Sequence, residues 1–400
     1  MTSETLNTTE RDRSDEPKKA RLAISLVFFL NGAVVATWAS RIPAIQDKLH
    51  LTTSTLGIAL LSMAVGALAA MSFAGALASR FGSRPVIVST MICTCLTLIL
   101  PAYASNLFLL SASVALLGLF AGSMDVAMNA HAVAVERAYS RPIMSSFHAL
   151  FSIGGIAGAC FGALMAWFRV APELHFPCCA IALLIAGLLV KNGLLPASVD
   201  ATGAKVNGAI HLETLQLLCD SRFLAALSAL MFCCFLVEGA MGDWSGVFLQ
   251  HTLKTDAGFA ALGYASFSVA MSMGRLLGDR LKEKFGSPAM VSGGSILALA
   301  GLCSIVFPGI PVLALVGFAL IGLGVSNIVP IAFTSAGNAP DMEPGPSIAT
   351  VALVGYFGLL AGPPVLGFVA EFVTLKYALA LLSILLISMI FLARFVRTEA

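Results

Sequence analysis

Arg80-Phe81-Gly82-Ser83 returns 204 residues later as Lys284-Phe285-Gly286-Ser287. The same offset carries Gly118 onto Gly322, Gly154 onto Gly358 and Gly158 onto Gly362. A chain of 400 residues that matches itself at about half its length reads as a duplication. The repeated tetrapeptide places a basic glycine turn at one corresponding loop of two apolar halves, as parallel repeats of membrane helices do.

Composition points the same way. Hydrophobic residues make up 58% of the chain, charged residues 11%, and mean hydropathy is +0.93. A soluble domain carries roughly a quarter charged residues, so the solvent implied here is lipid. A net charge of +2, with no long basic block, excludes nucleic acid as an expected partner. Cys93, Cys95, Cys178, Cys179, Cys233, Cys234 and Cys303 lie in apolar runs. Adjacent cysteines on a helix face different ways, so these read as packing or lipid-facing residues, not as disulfides or metal ligands. No metal spacing, phosphate loop or nucleophile–base set stands out, so neither an enzyme nor a cofactor or metal is expected.

A helix needs about 20 apolar residues to cross a bilayer. Such segments run near 22–40, 56–79, 85–104, 107–134, 143–167 and 175–194. Six more run near 223–249, 258–279, 289–307, 311–335, 347–371 and 375–396. The expected fold is an all-α membrane protein of twelve transmembrane helices in two pseudo-symmetric six-helix bundles. Residues 1–21 are expected to be a disordered cytoplasmic tail, without the apolar core of a signal peptide. The bundles span 22–194 and 223–400, joined by a cytoplasmic linker at 195–222 with a short surface helix near 211–219. With the N-terminus inside, 18 basic residues face the cytoplasm and 5 the opposite side, accounting for all 23. Both termini are thus expected in the cytoplasm. Trp38, Trp167 and Trp244 fall at outer helix ends, as an interfacial aromatic belt would place them.

Gly75-Ala-Leu77-Ala-Ser79-Arg80-Phe-Gly82-Ser-Arg84 resembles the cytoplasmic loop signature of the major facilitator superfamily, with Ser79 where that signature has aspartate. Asp279-Arg280-Leu-Lys-Glu283-Lys284-Phe-Gly286 is its counterpart in the second half, with Glu283 at the acidic place. Thr37-Trp-Ala-Ser-Arg41-Ile-Pro43, Glu238-Gly-Ala-Met-Gly-Asp243-Trp244, Gly274-Arg275-Leu-Leu-Gly278-Asp279-Arg280 and Gly362-Pro363-Pro364 resemble YbjJ-type bacterial inner-membrane proteins of that superfamily, distantly like fucose–proton symporters. The resemblance implies a secondary active transporter with a cavity between two bundles. It would move a small polar solute, sugar-like or another metabolite, across a bacterial inner membrane by alternating access, with protons as a symporter and as a monomer. Proton-driven efflux is the alternative, and a non-transporting membrane sensor a more distant one. Residues 116–130 lack the membrane-embedded arginine of many drug–proton antiporters.

An ionisable group inside a span is expensive and marks function by default. Asp125, with Asn129 one turn later on the same face, is one candidate for proton coupling. Glu238, flanked by Gly239 and Gly242, is the other. For each, a structural bond to a neighbouring helix is the competing reading. Asn31, His148, Asn327 and Tyr356 read as cavity contacts or as interhelical packing. Arg41 and Asp243, at outer ends of the first and seventh segments, are an expected outer gate or solvated end charges. The loop residues Gly75, Arg80, Gly82, Arg84, Asp279, Arg280, Glu283, Lys284 and Gly286 are an expected inner gate. The cytoplasmic bias of basic residues explains the arginines equally well. Gly154, Gly158 and Gly162 line one helix face for close packing.

Overall fold

The computed structural model describes residues 3–51, 53–203, 216–255, 257–339 and 342–396, whose regular structure is all helix. In the first half run α1 (Ser3–Ser40), α2 (Ile42–Lys48), α3 (Thr53–Phe81), α4 (Ser83–Tyr103), α5 (Leu107–Tyr139), α6 (Met144–Trp167) and α7 (Pro172–Val190). In the second run α8 (Arg222–Val247), α9 (Ala257–Phe285), α10 (Ser287–Val306), α11 (Pro311–Val325) and α12 (Ile328–Gly337). α13 (Pro344–Val373), α14 (Leu375–Ala380) and α15 (Leu382–Leu392) complete it.

Eleven helical stretches of the described residues are long and apolar enough to cross a membrane, counting α11–α12 and α14–α15 as one each. The expected segment not among these eleven is the eighth, 258–279, which is α9. It is 29 residues long, but Ser266, Ser268 and Ser272, then Arg275, Asp279 and Arg280, dilute its apolar character.

The chain divides into two compact units. One comprises Met1–Arg141, Leu150–Thr214 and Asp341–Ala349; the other comprises Pro142–Ala149, Leu215–Pro340 and Thr350–Ala400. The first turns of α6 therefore belong with the second unit, and those of α13 with the first.

The repeated glycines do equivalent work in each unit. A Cβ on Gly118 of α5 would run into the Met63 carbonyl of α3; one on Gly322 of α11 would run into the Phe267 carbonyl of α9. Met63 and Phe267 are themselves 204 residues apart. Gly154 and Gly158 of α6 press on Phe29 and Ala33 of α1, while Gly358 and Gly362 of α13 press on Phe232 and Leu236 of α8. Helices in lipid gain no hydrophobic drive from meeting one another, so packing through small residues must hold them together. Gly82 and Gly286 precede α4 and α10 with φ of 83° and 77°, a left-handed conformation that favours glycine. Arg80 and Lys284 lie 5.0 and 5.1 Å from the ring centroids of Phe81 and Phe285, so the two turns match down to side-chain placement.

Several expectations need correction. Trp38 is not at a lipid interface: it is 2% exposed and packs against Phe176 in the first unit's core, ring centroids 6.3 Å apart. Position along a helix says nothing of which face a residue occupies. The tenth segment is broken at Ser326–Asn327. Arg275, one of the 18 basic residues assigned to the cytoplasmic side, lies within α9 and is 7% exposed. Of the linker helix expected at 211–219, helical backbone is described only from 216 to 220; residues 204–215 lie outside the described residues.

Substituting valine for Gly118 or Gly322 should force these helix pairs apart, costing about 1–3 kcal/mol or more. A lowered melting temperature of purified protein checks this. Gly293→Ala, with nothing within 4 Å of the added methyl, should leave the melting temperature unchanged or raise it.

Candidate functional site

In the second unit the break between α11 and α12 organises a buried polar cluster. Helix backbone normally consumes its own carbonyls; the interruption leaves that of Ser326 to accept a hydrogen bond from Arg275 Nε at 3.2 Å. Asn327 Nδ2 donates to the Gly274 carbonyl at 3.0 Å and to Ser326 Oγ at 2.9 Å, tying the break to α9. Gly274 and Gly278 permit this approach, since a Cβ on either would strike Ser326 or Asn327. From that anchored position, Arg275 Nη2 lies 3.7 Å from Glu238 Oε1 on α8. Cys234 Sγ, one turn earlier on α8, is 3.6 Å from the same oxygen. Glu238 is thus paired, by an ion pair too long for a direct hydrogen bond.

Asp279 completes the α9 motif. Its carboxylate accepts the backbone N–H groups of Ser145 at 2.8 Å and Ser146 at 3.0 Å, capping the first turn of α6. The first N–H groups of a helix lack intrahelical partners and favour negative charge. His148, one turn further along α6, stacks on Phe333 with centroids 5.8 Å apart and planes 10° from parallel. Tyr356 meets Phe235 edge-on at 5.2 Å. Glu238, Arg275, Asp279, His148, Asn327 and Tyr356 all belong to this unit. Asp243, also here, is exposed near the end of α8, as are Arg280, Glu283 and Lys284 near the end of α9.

In the first unit Asp125 and Asn129 are buried on α5. Asn129 Nδ2 donates to the Asp125 backbone carbonyl at 2.8 Å and lies 3.4 Å from Oδ1, so the amide braces the carboxylate from one turn away. Asn31 reaches Met128 Sδ at 3.7 Å. Arg41 is 4% exposed and turns into its own unit, donating from Nη2 to the Val170 carbonyl, while Nε and Nη1 make no hydrogen bond. Burial lowers its pKa, and nearby Glu173 partly offsets this. Glu173 itself is held by Lys48 at 2.5 Å.

The motif loop of the first unit is covered by a strap that sequence reading missed. Leu195 N–H donates to His131 Nε2 at 3.2 Å, which leaves the ring proton on Nδ1, 2.7 Å from Ser83 Oγ. Ser83 N–H in turn reaches both Asp200 carboxylate oxygens, at 3.1 and 3.3 Å. Gly82 has no side chain to cap α4, so Asp200 does so from 117 residues away. Thr202 N–H donates to the Ser79 carbonyl at 2.7 Å, and Thr202 Oγ1 lies 3.0 Å from Glu343 Oε1. His131 is consequently 1% exposed and hydrogen-bonded at both nitrogens. Gly75 of the loop motif packs against Gly345 and Ala349 at the start of α13. Arg80 is exposed and Arg84 half-buried.

Of the residues missed, Arg275 had a legible signal. It sits between glycines four apart, inside the expected segment 258–279. Nothing in the sequence points from residue 200 to residue 83.

Residues 24–341 match the family model of the Major Facilitator Superfamily. An uncharacterized MFS-type transporter of Yersinia pestis is 34% identical over 374 residues, covering 94% of this chain and 95% of that protein. Membrane protein MosC of Rhizobium meliloti is 33% identical over 357 residues, covering 89% and 85%. Among solved structures, the fucose transporter FucP in its outward conformation aligns with a TM-score of 0.79 at 17% identity, covering 94% of this chain and 98% of that one. The proton:xylose symporter XylE aligns with a TM-score of 0.76 at 13% identity, covering 96% and 97%. The chain belongs to the major facilitator superfamily. It is a multi-pass membrane transporter and not an enzyme.

Burial raises the Asp200 carboxyl pKa, against the Ser83 hydroxyl and N–H that favour its charged form. The folded chain therefore binds this proton more tightly than the unfolded one. Its contribution to stability is full below the unfolded value and is lost as pH rises through the raised one. Asp200→Asn should remove that dependence. The wild-type melting temperature, relative to the variant's, should fall as pH rises above the ordinary carboxylate value of about 4.

Proposed function

We propose that the protein is a proton-coupled symporter of a small polar solute, with Glu238 as the group that takes up and releases the proton. The observation that carries the reading is the Glu238–Arg275 pair at 3.7 Å, with Glu238 in a helix long and apolar enough to span a membrane. Charge inside a bilayer is tolerated only where something compensates it. A carboxylate facing a cation at 3.7 Å, too far for a direct hydrogen bond, can alternate between a paired, charged state and a protonated, neutral one. Asp125, braced by Asn129 in the other unit, is the second acid able to take part.

The fold likeness to FucP and XylE, whose descriptions name fucose:proton and proton:xylose symport, supports the proton as driving ion. In this reading the protein works as a monomer in a bacterial inner membrane, with both termini cytoplasmic. Asp279, capping α6 through Ser145 and Ser146, is the inner-gate residue of this reading. A cap on a helix terminus can be made and broken without unfolding the helix, as a gate requires.

Proteoliposomes on a sensor surface test the proposal through solute-evoked currents at several pH values. A pH-dependent current should appear in wild type and fall at least about tenfold, roughly 1.4 kcal/mol of coupling, in Glu238→Gln. Asp125→Asn should reduce it less. An undiminished, still pH-dependent current in Glu238→Gln would exclude Glu238 as the proton carrier. Asp279→Asn should slow turnover while leaving solute binding intact, read by comparing current amplitude with equilibrium binding.

A further inference from the structure

We infer that Arg41 and His175 form a binding site for one small monovalent anion of the size of chloride, buried in the first unit where the end of α1 meets the start of α7. The site is separate from Glu238 and Arg275 and does not depend on the reading of either.

Two buried polar side chains carry it. Arg41 is 4% exposed. Its Nη2 donates to the Val170 carbonyl, while Nε and Nη1 have no hydrogen-bond partner among the described residues. His175, in the first turn of α7, is 1% exposed, and neither of its ring nitrogens has one. The ring lies within electrostatic reach of Arg41. Ser40, the neighbour of Arg41, and His175 also converge on Gly162 of α6, where an added Cβ would strike Ser40 Oγ and touch His175 Cε1. Otherwise the surroundings of the ring are aromatic. Phe161 and Phe176 each have centroids 5.6 Å from it, and Trp38 lies 6.3 Å from Phe176. Leaving a buried polar group unanswered costs about 1–3 kcal/mol, and more where the group is charged. Arg41 and His175 together hold four such nitrogens.

The chemistry of these donors selects the ligand. A guanidinium offers N–H groups only and stays charged, so whatever meets Nε and Nη1 must accept. A neutral imidazole can turn the N–H of one nitrogen to the same acceptor. Water would answer the hydrogen bonds and leave the charge. Glu173, whose charge reaches Arg41, already bonds Lys48 at 2.5 Å. Of Arg41, Lys48 and Glu173, one positive charge is therefore unmet. A single negative charge balances it, and the burial of both side chains restricts the ion to a small one. The rim is more open: Lys48 and Glu173 are 36% and 33% exposed, which gives an ion from solution a way in.

The test uses full-length protein in nanodiscs, with sodium chloride replacing sodium gluconate at constant ionic strength so that screening is unchanged. Chloride should raise the melting temperature saturably, as a ligand of the folded state does, and bromide should do the same. Equilibrium dialysis with radioactive chloride should find one ion retained per chain. Arg41→Gln should lose the retained ion and melt alike in the two salts. His175→Phe keeps a flat ring between Phe161 and Phe176 but removes the donor. It should raise the half-saturating chloride concentration at least about tenfold, the loss of one hydrogen bond to a charged group. Should Arg41→Gln not fold, His175→Phe carries the test. A wild type that melts alike in both salts and retains no chloride would overturn the inference, with ordered water then answering the donors. So would a chloride effect of full size in Arg41→Gln, or an unchanged half-saturating concentration in His175→Phe.

Discussion

Arg275 carries a positive charge into a helix of a membrane-embedded unit, and much of that unit is arranged around it. Its Nε is satisfied by a carbonyl that exists only because the tenth segment breaks at Ser326–Asn327. Its charge is met by Glu238 on α8. The two glycines beside it exist because the broken segment must come within backbone distance of α9. Gly274, Arg275, Gly278 and Asp279 thus form one device. The glycines admit the neighbour, the arginine is anchored by it, and the aspartate caps the start of α6. In water such a cluster would be one polar patch among many. In lipid, where each unsatisfied group costs several kcal/mol, it dictates where helices can interrupt and how closely they lie.

The other organising constraint is steric. The Gly118–Met63 and Gly322–Phe267 approaches are the same contact made twice, and the Gly154–Phe29 and Gly358–Phe232 approaches likewise. Each brings a backbone carbonyl of one helix against the Cα of another. Duplication explains why the two units share these contacts, and packing in lipid explains why the contacts stayed glycine. The polar residues did not stay paired in this way. Glu238 faces an arginine, whereas Asp125 has an asparagine one turn along its own helix.

How far the fold was legible follows from the kind of signal involved. Apolar length and the 204-residue offset are local or periodic properties, so the helices and their repeat could be read directly. Asp125 and Glu238 were visible because a carboxylate in an apolar run is conspicuous. Arg275 was misread because Asp279 and Arg280 follow within a turn or so and make the whole stretch look like a loop. The tilt of Trp38 into the core was hidden because helix position fixes depth but not face. The break at Ser326–Asn327 did have a signal that went unread: Pro330, four residues on, has no N–H to give the Ser326 carbonyl. The strap over the loop motif was out of reach for another reason. Its bonds join residues 64, 117 and 123 positions apart, and no periodicity connects them.

That strap bears on the order in which the first half of the chain can be completed. The donor at Ser83 and the acceptor at Asp200 are separated by the remainder of α4 and all of α5, α6 and α7. During synthesis the third span must therefore enter the membrane with its leading N–H groups unanswered. It stays so until residues well past the sixth span have left the ribosome. A chain ending after Gly193 would contain every helix of the first half and still lack the group that closes it. By this measure the first half is finished in the connecting segment, not at its last helix.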